Sequence, residues 1–115
     1  MRIQFLLQKM NRFFYLYQNK GDIMQELKAG QIICSMAGHD KGQFYIIIGV
    51  ENEYVFLVDG KYKLLNQPKK KNKKHIQYVA DVSKQWTDKP NDLLIKRILK
   101  DYKKLLVNEN AGKEQ

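Results

Sequence analysis

The stretch GQIICSMAGHDKGQFYIIIGV, residues 30–50, leaves this chain few ways to fold. Ile32, Cys34 and Met36 fall on alternate positions, and Phe44, Ile46, Ile48 and Val50 do the same after a short polar loop. Successive side chains of a strand point to opposite faces, so a period of two marks two strands that each bury one face. Tyr45 and Ile47 are apolar as well, which predicts a second strand covered at least in part on both faces. The loop between them is Gly38-His39-Asp40-Lys41-Gly42. A glycine at each end lets the backbone take positive φ or come close to a ligand. A lysine lies between them.

The pattern continues. Glu51-Asn52-Glu53 reads as a polar turn, and Tyr54, Phe56 and Val58 alternate with Val55 and Leu57 in a third strand. Asp59-Gly60 predicts a type I′ hairpin, with residues 61–65 as the returning strand and Asn66-Gln67-Pro68 ending it. Residues 75–79, HIQYV, supply a fifth strand through Ile76 and Tyr78. Five short strands in about fifty residues predict a small, strongly bent sheet, and closing it into a barrel would remove its unpaired edges. Alternation alone does not choose among small five-stranded barrels.

Gly30, the alternating apolar positions, the Gly38-x-x-Lys41-Gly42 loop and the hydrophobic strand after it resemble the KOW motif of RNA-associated proteins. YVFLVDG at 54–60 and the lysine-rich tract behind it are similar to a subgroup of archaeal and eukaryotic large-subunit ribosomal proteins and their small stand-alone bacterial relatives. The resemblance spans residues 27–76. Many KOW motifs carry a further glycine just after the Lys-Gly pair, where this chain has Gln43, Phe44 and Tyr45. The resemblance implies an SH3-like barrel that binds ribosomal or other structured RNA in the cytoplasm.

Charge points the same way. The chain of 115 residues carries a formal +9, which favours a polyanionic partner, either nucleic acid or an anionic membrane surface. Between the predicted fourth and fifth strands lie Lys69, Lys70, Lys71, Lys73 and Lys74. Five lysines in six positions repel one another. They are expected to form a solvated loop, unburied, that gains most beside phosphates. If all five met a duplex, affinity would fall with salt with a log–log slope of roughly −4. Lysine contacts phosphate as a flexible point charge, so recognition of RNA shape and backbone is expected rather than base reading. Gly38, His39, Lys41 and Gly42 form the second candidate contact. The glycines would let backbone amides approach a phosphate, and Lys41 adds charge. His39 reads equally as an exposed loop histidine or as a group that stacks on a base or bonds a phosphate. Tyr45 and Tyr62 are either core residues or stacking platforms.

Two segments flank the barrel domain, 24–80. In residues 1–23, Leu6, Met10, Phe13 and Tyr17 recur at helical spacing, which allows an extra amphipathic N-terminal helix. Gln8, Lys9, Asn11 and Arg12 interrupt the apolar stretch, so it is neither a spanning helix nor a secretory signal. Lys20-Gly21-Asp22 can be encoded by AAA GGA GAT, which contains a ribosome-binding sequence at a suitable distance from Met24. We therefore expect translation to start at Met24, with 1–23 as translated leader; N-terminal sequencing decides this. Without that segment the chain loses four basic residues and one acidic, and the remainder stays basic at +6 instead of +9.

At the other end, 81–90 reads as a connector containing Trp86, and 91–107 as an amphipathic helix capped by Asn91, with Asp92 at its positive end. Leu94, Ile98, Tyr102 and Leu105 share one face, widened by Ile95, Leu99 and Leu106. Lys96, Arg97, Lys100, Lys103 and Lys104 crowd the remainder. Residues 108–115 look polar and frayed.

A single cysteine, Cys34, precludes an internal disulfide and fits a reducing compartment. It reads as a small core residue. No phosphate-binding glycine loop, H-E-x-x-H or nucleophile elbow is present, and His39, His75 and Cys34 have no zinc spacing. The expectation is a mainly β, non-catalytic RNA-binding protein without metal or cofactor. The competing expectations are a protein-interaction module of the transcription or translation machinery, and a membrane-surface protein that uses 1–23.

Overall fold

A computed structural model of the chain describes residues 26–87 and 89–113. The reading of 1–23, as helix or as leader, lies outside them.

Five antiparallel strands form one sheet: β1 (Gln31–Ser35), β2 (Phe44–Glu51), β3 (Tyr54–Val58), β4 (Lys69–Asn72) and β5 (Ile76–Asp81). A single helix follows, α1 (Asp92–Lys113). The strand order is β4-β3-β2-β1-β5. In a flat sheet the two outermost strands would lie about 19 Å apart, four spacings of about 4.8 Å. Yet β4 and β5 are joined by one 3-10 turn, Lys73–His75, and at about 2 Å rise per residue it bridges only about 8 Å. The sheet must therefore curl. Register shifts at Ile32/Ile33 and Ile47/Gly49 help it to bend.

The curl separates two cores, and alternation along each strand decides which side chain joins which. Ile33, Tyr45, Ile47, Val55, Leu57 and Ile76 face the concave side. Ile32, Cys34, Phe44, Ile46 and Val58 face the other, where Ile95, Ile98 and Leu99 of α1 cover them. β2 is thus buried on both faces over its first half, as its unbroken apolar run predicts. Trp86 packs against the helix-side core and anchors the connector.

The helix begins where expected. Leu94 N–H donates to Asn91 Oδ1 at 2.7 Å. It continues past 107 to Lys113 instead of fraying at 108, since no proline intervenes and each further residue adds a bond without a new nucleus. Leu105 lies off the buried stripe and is 64% exposed.

The fourth strand is not where the hairpin signal placed it. Asp59 Oδ1 accepts N–H bonds from Lys61, Tyr62 and Lys63, and Asp92 Oδ1 accepts that of Leu65. Those amides are therefore not available to a ladder, and 61–65 forms a side-chain-capped turn. Only Gly60 of the Asp-Gly pair has positive φ, so the turn is not type I′. The strand that pairs with β3 is the lysine tract itself, with Leu57 opposite Lys69 and Val55 opposite Lys71.

Candidate nucleic-acid interface

The tract forms a strand because it has an internal counter-charge. Residues directly opposite each other across two strands share a face, so Lys69 and Lys71 follow Leu57 and Val55 to the concave side. There they meet Asp40, projected from the Gly38–Gly42 loop. Lys69 Nζ lies 2.8 Å from Asp40 Oδ2, and Lys71 Nζ 2.8 Å from Oδ1. Ser35 Oγ donates to Oδ1 at 2.8 Å and Tyr45 OH to Oδ2 at 3.0 Å. Lys71 Nζ also donates to the Ala37 carbonyl at 2.8 Å.

The carboxylate is thus held by four side chains, two of them cationic. Burial would raise its pKa, but the bonds from Lys69, Lys71, Ser35 and Tyr45 outweigh that and hold the carboxyl well below the usual carboxylate range. The partner hydroxyl moves the other way. Burial, then its bond to Asp40, pushes the Tyr45 phenol above its ordinary value. The expectation that the tract lysines stay unburied fails for Lys71, whose side chain is only 10% exposed, and in part for Lys69 at 30%.

The network joins two segments that sequence keeps 31 residues apart. A second tie closes beside it, where Met36 N–H donates to the His75 carbonyl at 2.8 Å. The loop itself is closed by its backbone: Gly42 N–H donates to Ser35 O at 2.8 Å, and Gln43 N–H to Asp40 O at 2.9 Å. Gly38 and Gly42 have φ of +88° and +93°, the left-handed region that glycine enters without strain. Their role as turn formers is therefore direct.

Outside the network, His39, Lys41, Lys70 and Lys74 are exposed and Lys73 is half-buried. Among the described residues, no carboxylate lies within 4.0 Å of Lys41, Lys70, Lys73 or Lys74. Within the loop and the tract themselves, six lysines stand against one carboxylate, five net positive charges, with Glu51 and Glu53 at their margin. Of the two candidate platforms, Tyr45 is core at 4% exposure, whereas Tyr62 is 75% exposed with Lys61 Nζ 5.0 Å from its ring centroid.

Two residues escaped sequence reasoning. Asp40 is one; the trace it leaves is an acid between two glycines in a basic chain. Tyr54 is the other, assigned only as a strand residue; it is 37% exposed, with Lys70 Nζ 4.3 Å from its ring centroid.

Among the described residues, no cluster of His, Cys, Asp and Glu could hold a metal ion, and no helix is long and apolar enough to cross a membrane. Cys34 is buried, and desolvation pushes its thiol up to about 12, so it is not poised as a nucleophile. No model of a known protein family matches the chain, and no curated protein matches it in sequence.

Proposed function

We propose that this chain is a non-catalytic, cytoplasmic RNA-binding protein of KOW type, built on an SH3-like barrel, which holds structured RNA by its backbone phosphates. The observation that carries the reading is the Asp40 network. It fastens the Gly-x-x-Lys-Gly loop to the lysine strand, so that Lys41 and His39 of the loop and Lys70, Lys73 and Lys74 of the tract are carried on one frame. The strong curl of five short strands supports the SH3-like architecture. Lys69 and Lys71, each engaged by Asp40, act as positioning residues, so the RNA contacts narrow to Lys41, Lys70, Lys73 and Lys74; the Gly42 amide, buried and bonded to Ser35, is not among them.

Fewer contacts change the expected salt dependence. Lys41 and the three tract lysines outside the Asp40 network give a log–log slope of about −2.8 on single strands and about −3.6 on duplex. The test is fluorescence anisotropy with a structured RNA across a salt series. Lys70→Gln, Lys73→Gln and Lys74→Gln combined should remove most of the affinity and flatten the slope, with the melting temperature unchanged. A wild-type chain that ignores structured RNA in dilute buffer overturns the reading. Retention instead of a polypeptide that survives RNase and moderate salt would identify a protein-interaction module. Sedimentation with anionic liposomes would identify a membrane-surface protein.

A further inference from the structure

We propose that the convex face of β3 and β4 is a stacking site for unpaired nucleobases, built on Tyr54 and Phe56 and edged by Lys70. This rests on the RNA-binding reading and adds the class of RNA, one with bulged or single-stranded nucleotides.

Tyr54 and Phe56 are two positions apart on one strand and so project to the same side. Val55 and Leu57, between and beyond them, point into the concave core. Among the described residues, neither aromatic ring belongs to the cores that hold the sheet together. Tyr54 is exposed and Phe56 half-buried. A ring pair at this spacing offers adjacent π-faces, which every base can use whatever its hydrogen-bonding edge.

Among the described residues, the strand neighbours of the pair leave it without a side chain on one flank and with a charge on the other. Gly49 pairs with Phe56 across β2–β3 and contributes no side chain. A Cβ there would lie 3.7 Å from Phe56 Cδ2, so a larger residue would overlie the ring's flank. On the opposite side Lys70 pairs with Phe56 and Asn72 with Tyr54. Lys70 reaches diagonally to place its ammonium over Tyr54. An exposed cation over a ring is held weakly, less strongly than a stacked base. An arriving base takes that position, and the displaced ammonium is free to meet the nucleotide's own phosphate. Glu51, opposite Tyr54 on β2, repels the phosphate from that side. The nucleotide is therefore oriented with its base over the rings and its backbone along β4, toward the lysines already assigned to phosphate.

The test compares two RNAs of equal length binding the full chain: a hairpin paired throughout its stem, and the same hairpin with adenosines bulged from it. Tyr54→Leu should weaken the bulged RNA about ten-fold and leave the paired one unchanged, which also certifies that the variant is folded. Gly49→Val removes no charge, suits a strand, and should discriminate in the same direction by covering Phe56. Tyr54→Trp should restore bulged binding. With 2-aminopurine in the bulge, wild-type binding should quench its fluorescence and Tyr54→Leu should not. Equal losses on both RNAs, or none, overturn the stacking site while leaving the lysine contacts in place. Wild-type indifference to both RNAs overturns the RNA-binding reading itself.

Discussion

Asp40→Asn keeps the shape of the side chain and deletes its charge, so it isolates what the carboxylate does. In the wild type two ammoniums and two hydroxyls converge on a side chain only 11% exposed. Removing one partner of a buried ion pair typically costs about 3–5 kcal/mol, because the other charge is left without compensation. Lys71 bears most of this, being nearly buried, although it keeps the Ala37 carbonyl. Lys69 is 30% exposed and can turn to water, which lowers the figure. We expect a loss of about 2–3 kcal/mol near neutral pH, or roughly 10–15 °C in melting temperature for a domain of this size.

The pH dependence gives an independent check. The folded pKa of Asp40 lies below its unfolded value of about 3.9, so the carboxylate's contribution is fully present above that pH and is lost as pH falls toward the folded value. Wild type should thus weaken below roughly pH 4, and the gap between wild type and Asp40→Asn should narrow over the same range. Urea unfolding followed by circular dichroism in a pH series measures both. Equal stability of the two proteins near neutral pH, or a gap that stays constant into acid, would refute the role given to the network.

Other outcomes follow from single contacts. Gly60→Ala places a Cβ against the Asp92 carbonyl and 2.7 Å from Lys96 N, at a φ of +76°; the left-handed backbone and the overpacking together predict a loss of about 3 kcal/mol by urea titration. Gly38→Ala has the same handedness but would meet only ordinary contacts, Asp40 Oδ1 at 3.6 Å and Lys71 Nζ at 3.7 Å, and should cost only about 1–2 kcal/mol. Asn91→Ala removes the acceptor for Leu94 N–H and should lower stability by about 1 kcal/mol, with loss of helical ellipticity on heating beginning earlier. The Cys34 thiol, buried and pushed up to about 12, should resist a thiol reagent at mildly alkaline pH until denaturant is added.

What was legible in the chain was whatever a strand's period of two or a helix's cap can encode. Ile32 to Cys34, Phe44 to Ile47 and Tyr54 to Val58 reveal their faces locally, and Asn91 announces its helix. Long-range chemistry was not legible. Lysines at 69–71 read as loop because like charges repel, and only the fold brings Asp40 to neutralise two of them. Asp59-Gly60 read as a hairpin because nothing nearby shows that one carboxylate will take the amides of Lys61, Tyr62 and Lys63. The candidate region inherits both limits. Its cations were visible from composition, but their division into those that fasten the loop and those that face outward depends on register, and register was misplaced by the false fourth strand.

The position of Lys69, Lys70 and Lys71 at the end of the ladder bears on how the protein survives at high concentration. An outermost strand offers its free amides and carbonyls to any similar strand, and that is how sheets recruit further copies into aggregates. Here a second molecule approaching in that manner would bring lysine against lysine along most of the strand. Self-association through β4 is thereby discouraged, while a polyanion meets no such barrier.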